Sequence, residues 1–229
     1  MDLSKLYAAR FPEEDLAAKD AVWKVLCERF FQALVRETDT VLDLGAGHGD
    51  FLRHIRCAAR IAVEPNLDLK IGKNACSTLP EGTRLVLQPS WNLSEVPDET
   101  VNVVFASNFF EHLPDKEKLL ETLLEVHRVL VPDGTLLILQ PNLAFLHGHF
   151  FDFLDHNLPL THHSMAEALA LTNFQVTRLI PRFLPFTTRS RVPQAPWLVR
   201  LYLAFPPAWR VMGKQMFIQA HKEKTEESC

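Results

Sequence analysis

No run of about 18 apolar residues occurs in the 229-residue chain, and its first thirty residues mix Asp, Lys, Arg and Glu throughout. These absences exclude a spanning helix and a secretory leader, so the chain reads as soluble. The four cysteines, Cys27, Cys57, Cys76 and Cys229, have neither paired nor metal-ligand spacing. They exclude a disulfide framework and read as free thiols in a reducing cytoplasm. A strongly basic balance is missing as well: the net charge is −4, the pI 6.2, and no RNA- or DNA-binding module is visible, which disfavours nucleic acid. No internal repeat or low-complexity tract appears apart from a polar tail after Lys222. With 47% apolar residues, this length suits one main domain with insertions.

What is present begins with Val41-Leu-Asp-Leu-Gly-Ala-Gly-His-Gly-Asp50. Thr40 to Leu44 reads as a buried strand and Phe51 to Arg56 as the start of a helix, placing the glycines at a strand-to-helix turn where backbone and ligand approach closely. The dinucleotide fingerprint G-x-G-x-x-G is not met, because the third glycine comes one residue early and Asp50 takes its place. A pyrophosphate sits poorly beside Asp43. A cation welcomes it, which points to S-adenosylmethionine. Arg60 to Glu64 is a second short apolar run, ending in a carboxylate 21 residues after Asp43, where a βαβ unit places an acid beside a ribose.

Val41 to Gly49, Glu64, Phe105-Ala-Ser-Asn-Phe-Phe-Glu-His-Leu113 and Arg128-Val-Leu-Val-Pro-Asp-Gly-Thr-Leu136 together resemble the class I S-adenosylmethionine-dependent methyltransferases, of the type 11/12 kind. The resemblance covers about residues 38 to 142 and extends loosely to a strand near 174 to 180. It implies an α/β, Rossmann-like seven-stranded sheet with helices on both faces and the cofactor over the carboxyl ends of the first strands. It places Asp43 near the methionine amino group, Gly45, Ala46 and Gly47 along the methionyl and ribose portion, Glu64 on the ribose, and Pro65 and Asn66 beside the adenine. Ser107 and Asn108 would stand around the methionine and the substrate entrance. The Asp that commonly follows the third strand is missing: Arg84 to Gln88 runs into Pro89-Ser90-Trp91. Ser90 is the substitute acceptor for the adenine amine, and Trp91 either packs on the purine or serves the core or a lid. Asn102 replaces the Asp that often opens the fourth strand.

Helical spacing predicts an amphipathic helix over 12–36, through Ala17, Ala21, Val25 and Leu26, and another over 115–131, through Leu119, Leu120, Leu123, Val126 and Leu130. The expected organisation is an N-terminal helical cover (1–37), a methyltransferase domain (38–222) with lid segments 141–163 and 181–213, and a polar tail (223–229). The second lid segment precedes the last strand, expected at Gln215 to Gln219.

Five of the ten histidines, His147, His149, His156, His162 and His163, lie between Pro141 and His163, after the fifth strand where an α/β crevice opens. No tight His and carboxylate spacing on a helix supports a metal. The candidates for proton acceptance from a substrate hydroxyl are His156, or the His162-His163 pair, although alignment alone accelerates methyl transfer. From Ala168 to Lys222 there are eight Lys or Arg and no Asp or Glu. With the chain at −4 overall, the remainder carries −12, an asymmetry that suits an anionic partner. Arg182, Arg189 and Arg191 are the expected contacts to an anionic acceptor. The aromatic, proline-broken segment around them also suits an anionic membrane surface or a dimer interface.

The resulting expectation is a cytoplasmic enzyme, with peripheral contact at the inner membrane surface as a variant, that O-methylates an anionic small molecule or a carrier-linked sugar and releases S-adenosylhomocysteine. A weaker similarity to bacterial glycan-associated methyltransferases, through Phe151 to Thr161, accompanies it. The alternatives are a methyltransferase for a hydrophobic natural product or quinone precursor, and a non-catalytic cofactor-binding partner. The sequence leaves the oligomeric state open.

Overall fold

The computed structural model describes residues 13–64, 79–186 and 195–223, with side chains from residue 17 onward. Its sheet is built from strands whose side chains alternate between two apolar faces. In β1 (Thr40–Leu44), Leu42 and Leu44 join one buried cluster and Val41 the other. β4 (Val101–Ser107) separates Val104 and Ala106 from Val103 and Phe105 in the same way, and β5 (Leu130–Pro141) separates Leu136 and Ile138 from Leu137 and Leu139. Strands apolar on both faces need cover on both. With β2 (Ala59–Val63), β3 (Arg84–Val86), β6 (Phe174–Ile180) and β7 (Gln215–Lys222) they form one open, seven-stranded sheet of order β3-β2-β1-β4-β5-β7-β6. Strand β7 runs antiparallel to both neighbours, and every other pair is parallel.

Helices α1 (Glu13–Arg29) and α2 (Asp50–His54) cover one face, bringing Leu26, Cys27, Phe51 and Leu52 to it. On the other lie α3 (Lys116–Val129) and, after the short α4 (Leu143–Leu146), α5 (His162–Leu171), contributing Leu119, Leu123, Val126, Met165, Ala168 and Leu169. Asp115 caps α3 by accepting from Lys118 N at 2.8 Å, and Thr161 with Ser164 forms a capping box on α5.

The helix predicted over 12–36 ends at Arg29 and gives way to a 3-10 turn, Phe31–Leu34. Consecutive residues of an unbroken α-helix point roughly 100° apart, whereas the break lets two neighbouring rings serve different partners. Phe31 packs on Phe105 at 5.1 Å between ring centroids, and Phe30 packs on Phe183 at 4.4 Å. Strand β5 begins at Leu130, earlier than the sequence indicates, because Asp133 (φ +61°) turns without ending the pairing. The 181–213 insertion contains α6 (Pro196–Ala204) and α7 (Pro206–Met212) between β6 and β7. Trp209 Nε1 donates to Tyr202 O at 2.9 Å and Tyr202 Oη to Phe183 O, which ties both helices to the end of β6. No helix among the described residues is long and apolar enough to cross a membrane. Residues 1–12 of the N-terminal segment and 224–229 of the tail lie outside the described residues.

Candidate active site

The turn after β1 is closed by backbone amides. Gly45 N and Ala46 N both donate to Val63 O, at 2.9 and 3.2 Å, and Gly47 N donates to Glu64 Oε2 at 3.1 Å. The structure thereby brings Asp43, Gly45, Ala46, Gly47 and Glu64 to one loop at the carboxyl ends of β1 and β2. Gly45 has φ +74°, and a Cβ there would stand 2.3 Å from Phe109 Cδ2, so conformation and contact both require glycine. Phe109, from the segment after β4, is thus laid directly on the turn.

Asp43 is 4% exposed. Burial, and then the charges of Asp50 and Glu64, push its carboxyl well above the usual carboxylate range. Such a group favours a cation and disfavours a pyrophosphate. The N-terminal helix braces the turn: Lys19 pairs with Asp50 at 2.8 Å, Arg53 bridges Asp50 and Asp20, and His54 Nε2 lies 2.9 Å from Asp20 Oδ1.

At the end of β4, Asn108 (φ +48°) donates its backbone N–H to Leu139 O at 2.8 Å and its side-chain amide to Ser107 Oγ at 3.2 Å. Asn102 Oδ1 accepts from Thr40 N at 2.8 Å, stitching β4 to β1 without charge. Ser90 is engaged by a core partner, and Trp91 takes the core alternative of its two readings. Ser90 Oγ lies 2.8 Å from Thr122 Oγ1 inside the core, because the buried Thr122 hydroxyl needs a partner. Trp91 packs against the same core, with Lys118 Nζ 5.3 Å from its ring centroid. Both therefore face α3. Pro65 and Asn66 lie outside the described residues.

Two residues beyond Phe109 begins a polar cluster that no spacing in the sequence revealed. Glu111, 1% exposed, accepts from Gln140 Nε2 at 2.7 Å, and burial raises its carboxyl above the usual range. His112 Nδ1 lies 2.9 Å from Asp155 O and His156 Nδ1 lies 3.0 Å from Phe150 O. The two imidazoles meet edge to face at 5.2 Å, and ligand atoms of Glu111, His112 and His156 all lie within 4.8 Å of one another. The only part a sequence shows is the adjacent pair Glu111 and His112, in the 3-10 turn Phe110–His112 that follows β4. Its partnership with His156 is purely tertiary.

Residues 17–179 match the methyltransferase domain family. The chain belongs to the class I S-adenosylmethionine-dependent methyltransferases. A probable methyltransferase, ltbC of Aspergillus luteorubrus, is 26% identical over 118 residues, covering 47% of this chain and 41% of that protein. The chain thus spans about two fifths of the length of that relative. A chain from the complex of the Haloferax volcanii Trm112 methyltransferase activator with a methyltransferase superposes with a TM-score of 0.69 at 18% identity, covering 98% of this chain and 99% of that one. An S-adenosylmethionine-dependent methyltransferase of Archaeoglobus fulgidus gives 0.60 at 20% identity, covering 95% and 98%. The cofactor of this methyltransferase is S-adenosylmethionine, and the buried Asp43 carboxyl beside a glycine turn fits its cationic end.

In this methyltransferase the remaining histidine candidates sit apart from His156. His162 opens α5, with its Nδ1 3.0 Å from Asn142 Nδ2 and its ring 4.0 Å from that of His163. Burial and the neighbouring His163 lower its pKa. Arg182 was expected on the acceptor, yet its guanidinium donates to Gly213 O at 3.0 Å and Val211 O at 2.7 Å and lies over Phe145. The insertion leaves the carbonyls ending α7 without helical partners, and Arg182 satisfies them. Arg189 and Arg191 lie outside the described residues.

Proposed function

We propose that this methyltransferase transfers a methyl group to a hydroxyl oxygen of an anionic small molecule, such as a sugar carried on phosphate. The observation that carries the reading is the Glu111, His112 and His156 cluster, beginning two residues after the ring that rests on the glycine turn. A hydrogen-bonding wall there suits a polar acceptor group. The acid-free stretch 168–222 supports the anionic part. Trp197, Leu201 and Phe205 are exposed, 65%, 61% and 58% accessible, rather than gathered into a buried apolar lining among the described residues, which places a quinone precursor second.

Bound S-adenosylmethionine supplies an electrophilic methyl whose bond to sulfur breaks as the acceptor oxygen bonds to carbon, leaving S-adenosylhomocysteine. The chain's part is to align. Asp43 takes the ammonium end, Gly45 to Gly47 the methionyl portion and Glu64 the ribose, with Pro65 and Asn66 beside the adenine. Ser107, Asn108 and Phe109 separate donor from acceptor, and the cluster holds the acceptor hydroxyl in line.

Incubation with labelled donor and a mixed acceptor library, read by mass shift, tests this. Phosphate-bearing hydroxyl compounds are the expected products' parents. Methylation confined to apolar quinols would favour the second reading, and donor binding without any transfer would make the chain a non-catalytic partner.

A further inference from the structure

We infer that Glu111, His112 and His156 form a binding site for a divalent transition-metal ion of the zinc, cobalt or manganese type, which receives the acceptor's hydroxyl. The inference rests on the hydroxyl-transfer reading above and deepens it.

The tautomers carry the argument. A backbone carbonyl only accepts hydrogen bonds, so His112 Nδ1, 2.9 Å from Asp155 O, and His156 Nδ1, 3.0 Å from Phe150 O, must each bear the proton. In the neutral rings the basic nitrogen is then Nε2 in both, the state a metal ligand needs. Anchoring of the far nitrogen by a carbonyl, with a carboxylate near it, is the arrangement that orients ligating histidines. Asp155 Oδ2, 3.4 Å from His112 Nδ1, supplies that carboxylate. Glu111 is the third ligand, oriented by Gln140 through one oxygen.

The buried Oε1 of Gln140 has no partner among the described residues, so the polar environment at Glu111 is unfinished by protein atoms. Two imidazoles and one carboxylate are a borderline donor set that suits zinc and its neighbours rather than magnesium or calcium, and three protein ligands leave a position open. Ligand atoms of a tetrahedral zinc centre with bonds of about 2.0–2.1 Å stand roughly 3.3 Å apart. One potential ligand atom from each of the three residues lies within 4.8 Å of the others, so a bound ion would have to draw them closer by rather more than an ångström.

A hydroxyl bound at the open position loses its proton to solvent water far more readily than a free one. An acceptor carrying a second oxygen beside that hydroxyl, such as a phosphate or a vicinal hydroxyl, gains further by chelation. Spacing rules missed the site because its ligands come from the turn after β4 and from a loop 44 residues later.

The test is a titration of the chelator-treated full chain with Co²⁺, followed by visible absorption and by calorimetry, without donor or acceptor. One equivalent should bind, with the d–d bands of a low-coordinate nitrogen and oxygen site. His112→Ala and His156→Ala should each weaken binding by at least about 100-fold, and Gln140→Leu by about 10-fold. His163→Ala should bind Co²⁺ as the wild type does. Circular dichroism of each variant separates lost ligation from lost folding, and Glu111→Gln, nearly isosteric, gives a second variant should an alanine fail to fold. No saturable Co²⁺ binding, or binding unchanged in Glu111→Gln and the two histidine variants, would overturn the site. Methyl transfer undiminished in the chelator-treated chain, with no saturable binding, leaves the hydroxyl reading intact and sinks the metal. Tight one-equivalent binding with no transfer to any acceptor does the reverse.

Discussion

The burial of Asp43 sets fold stability against the cation binding proposed for it, and the opposition makes it testable. Burial raises its carboxyl, so the folded chain keeps that proton to higher pH than the unfolded chain does. The contribution to stability is fully present below the ordinary carboxylate range and is lost as the pH rises through the folded value. Near pH 7, Asp43→Asn should therefore raise the thermal midpoint of the ligand-free protein and remove much of the further rise on adding S-adenosylmethionine. A cation beside the carboxyl lowers its pKa again, so donor binding in acid should release protons, measurable by calorimetry in buffers of different ionisation enthalpy. Asp43→Ala and Glu64→Ala should each weaken donor binding by about 1–3 kcal/mol, and NADH should not compete. These residues were legible because the turn, the strand before it and the strand after it are contiguous in sequence. The partner of Ser90 was not legible for the opposite reason: Thr122 lies on a helix 32 residues away.

At the scale of elements, the strands and helices followed from short apolar runs, helical spacing and the family resemblance, while the ends of elements were decided by tertiary packing. The split of the first helix at Phe30 and Phe31 is one example. The insertion is another. Its prolines read as interruptions, yet Pro196 and Pro206 each occupy the first turn of a helix, where a missing N–H costs nothing. Arg182 holds the far end of this unit through two carbonyls. Arg182→Ala should lower stability by about 1–3 kcal/mol and speed hydrogen exchange in residues 196–212, while changing the acceptor Michaelis constant little. A large rise in that constant with unchanged stability would restore Arg182 to the acceptor.

Over the whole molecule, the charge asymmetry was plain in the sequence but its disposition was not. Lys222 is spent between Glu99 and Leu130 O, both at 2.9 Å, Arg178 stacks over Phe30 at 5.1 Å, and Arg200 stands 3.9 Å from Glu28. With Arg182, four of the eight cations thus brace the fold, which composition has no means of foretelling. Arg178 and Arg200 remain exposed, so an anionic acceptor drawn by this stretch is expected to lose about three- to tenfold in kcat/KM as ionic strength rises from about 0.1 to 1 M. A loss of less than about twofold over that range would mean that the acceptor does not meet these cations.

The ring of Phe109 on Gly45 has a thermodynamic consequence. It touches the glycine turn, and the same short segment carries Glu111 and His112, so if the proposed roles hold, any settling of the turn around the donor is transmitted to the acceptor side over a few covalent bonds. Linkage makes that transmission reciprocal: if the donor tightens the acceptor, the acceptor tightens the donor by the same factor. Binding should thus be synergistic, each substrate lowering the dissociation constant of the other by the same factor, measurable by titrating either in the presence of the other. Phe109→Ala should keep both affinities measurable yet make each independent of the other.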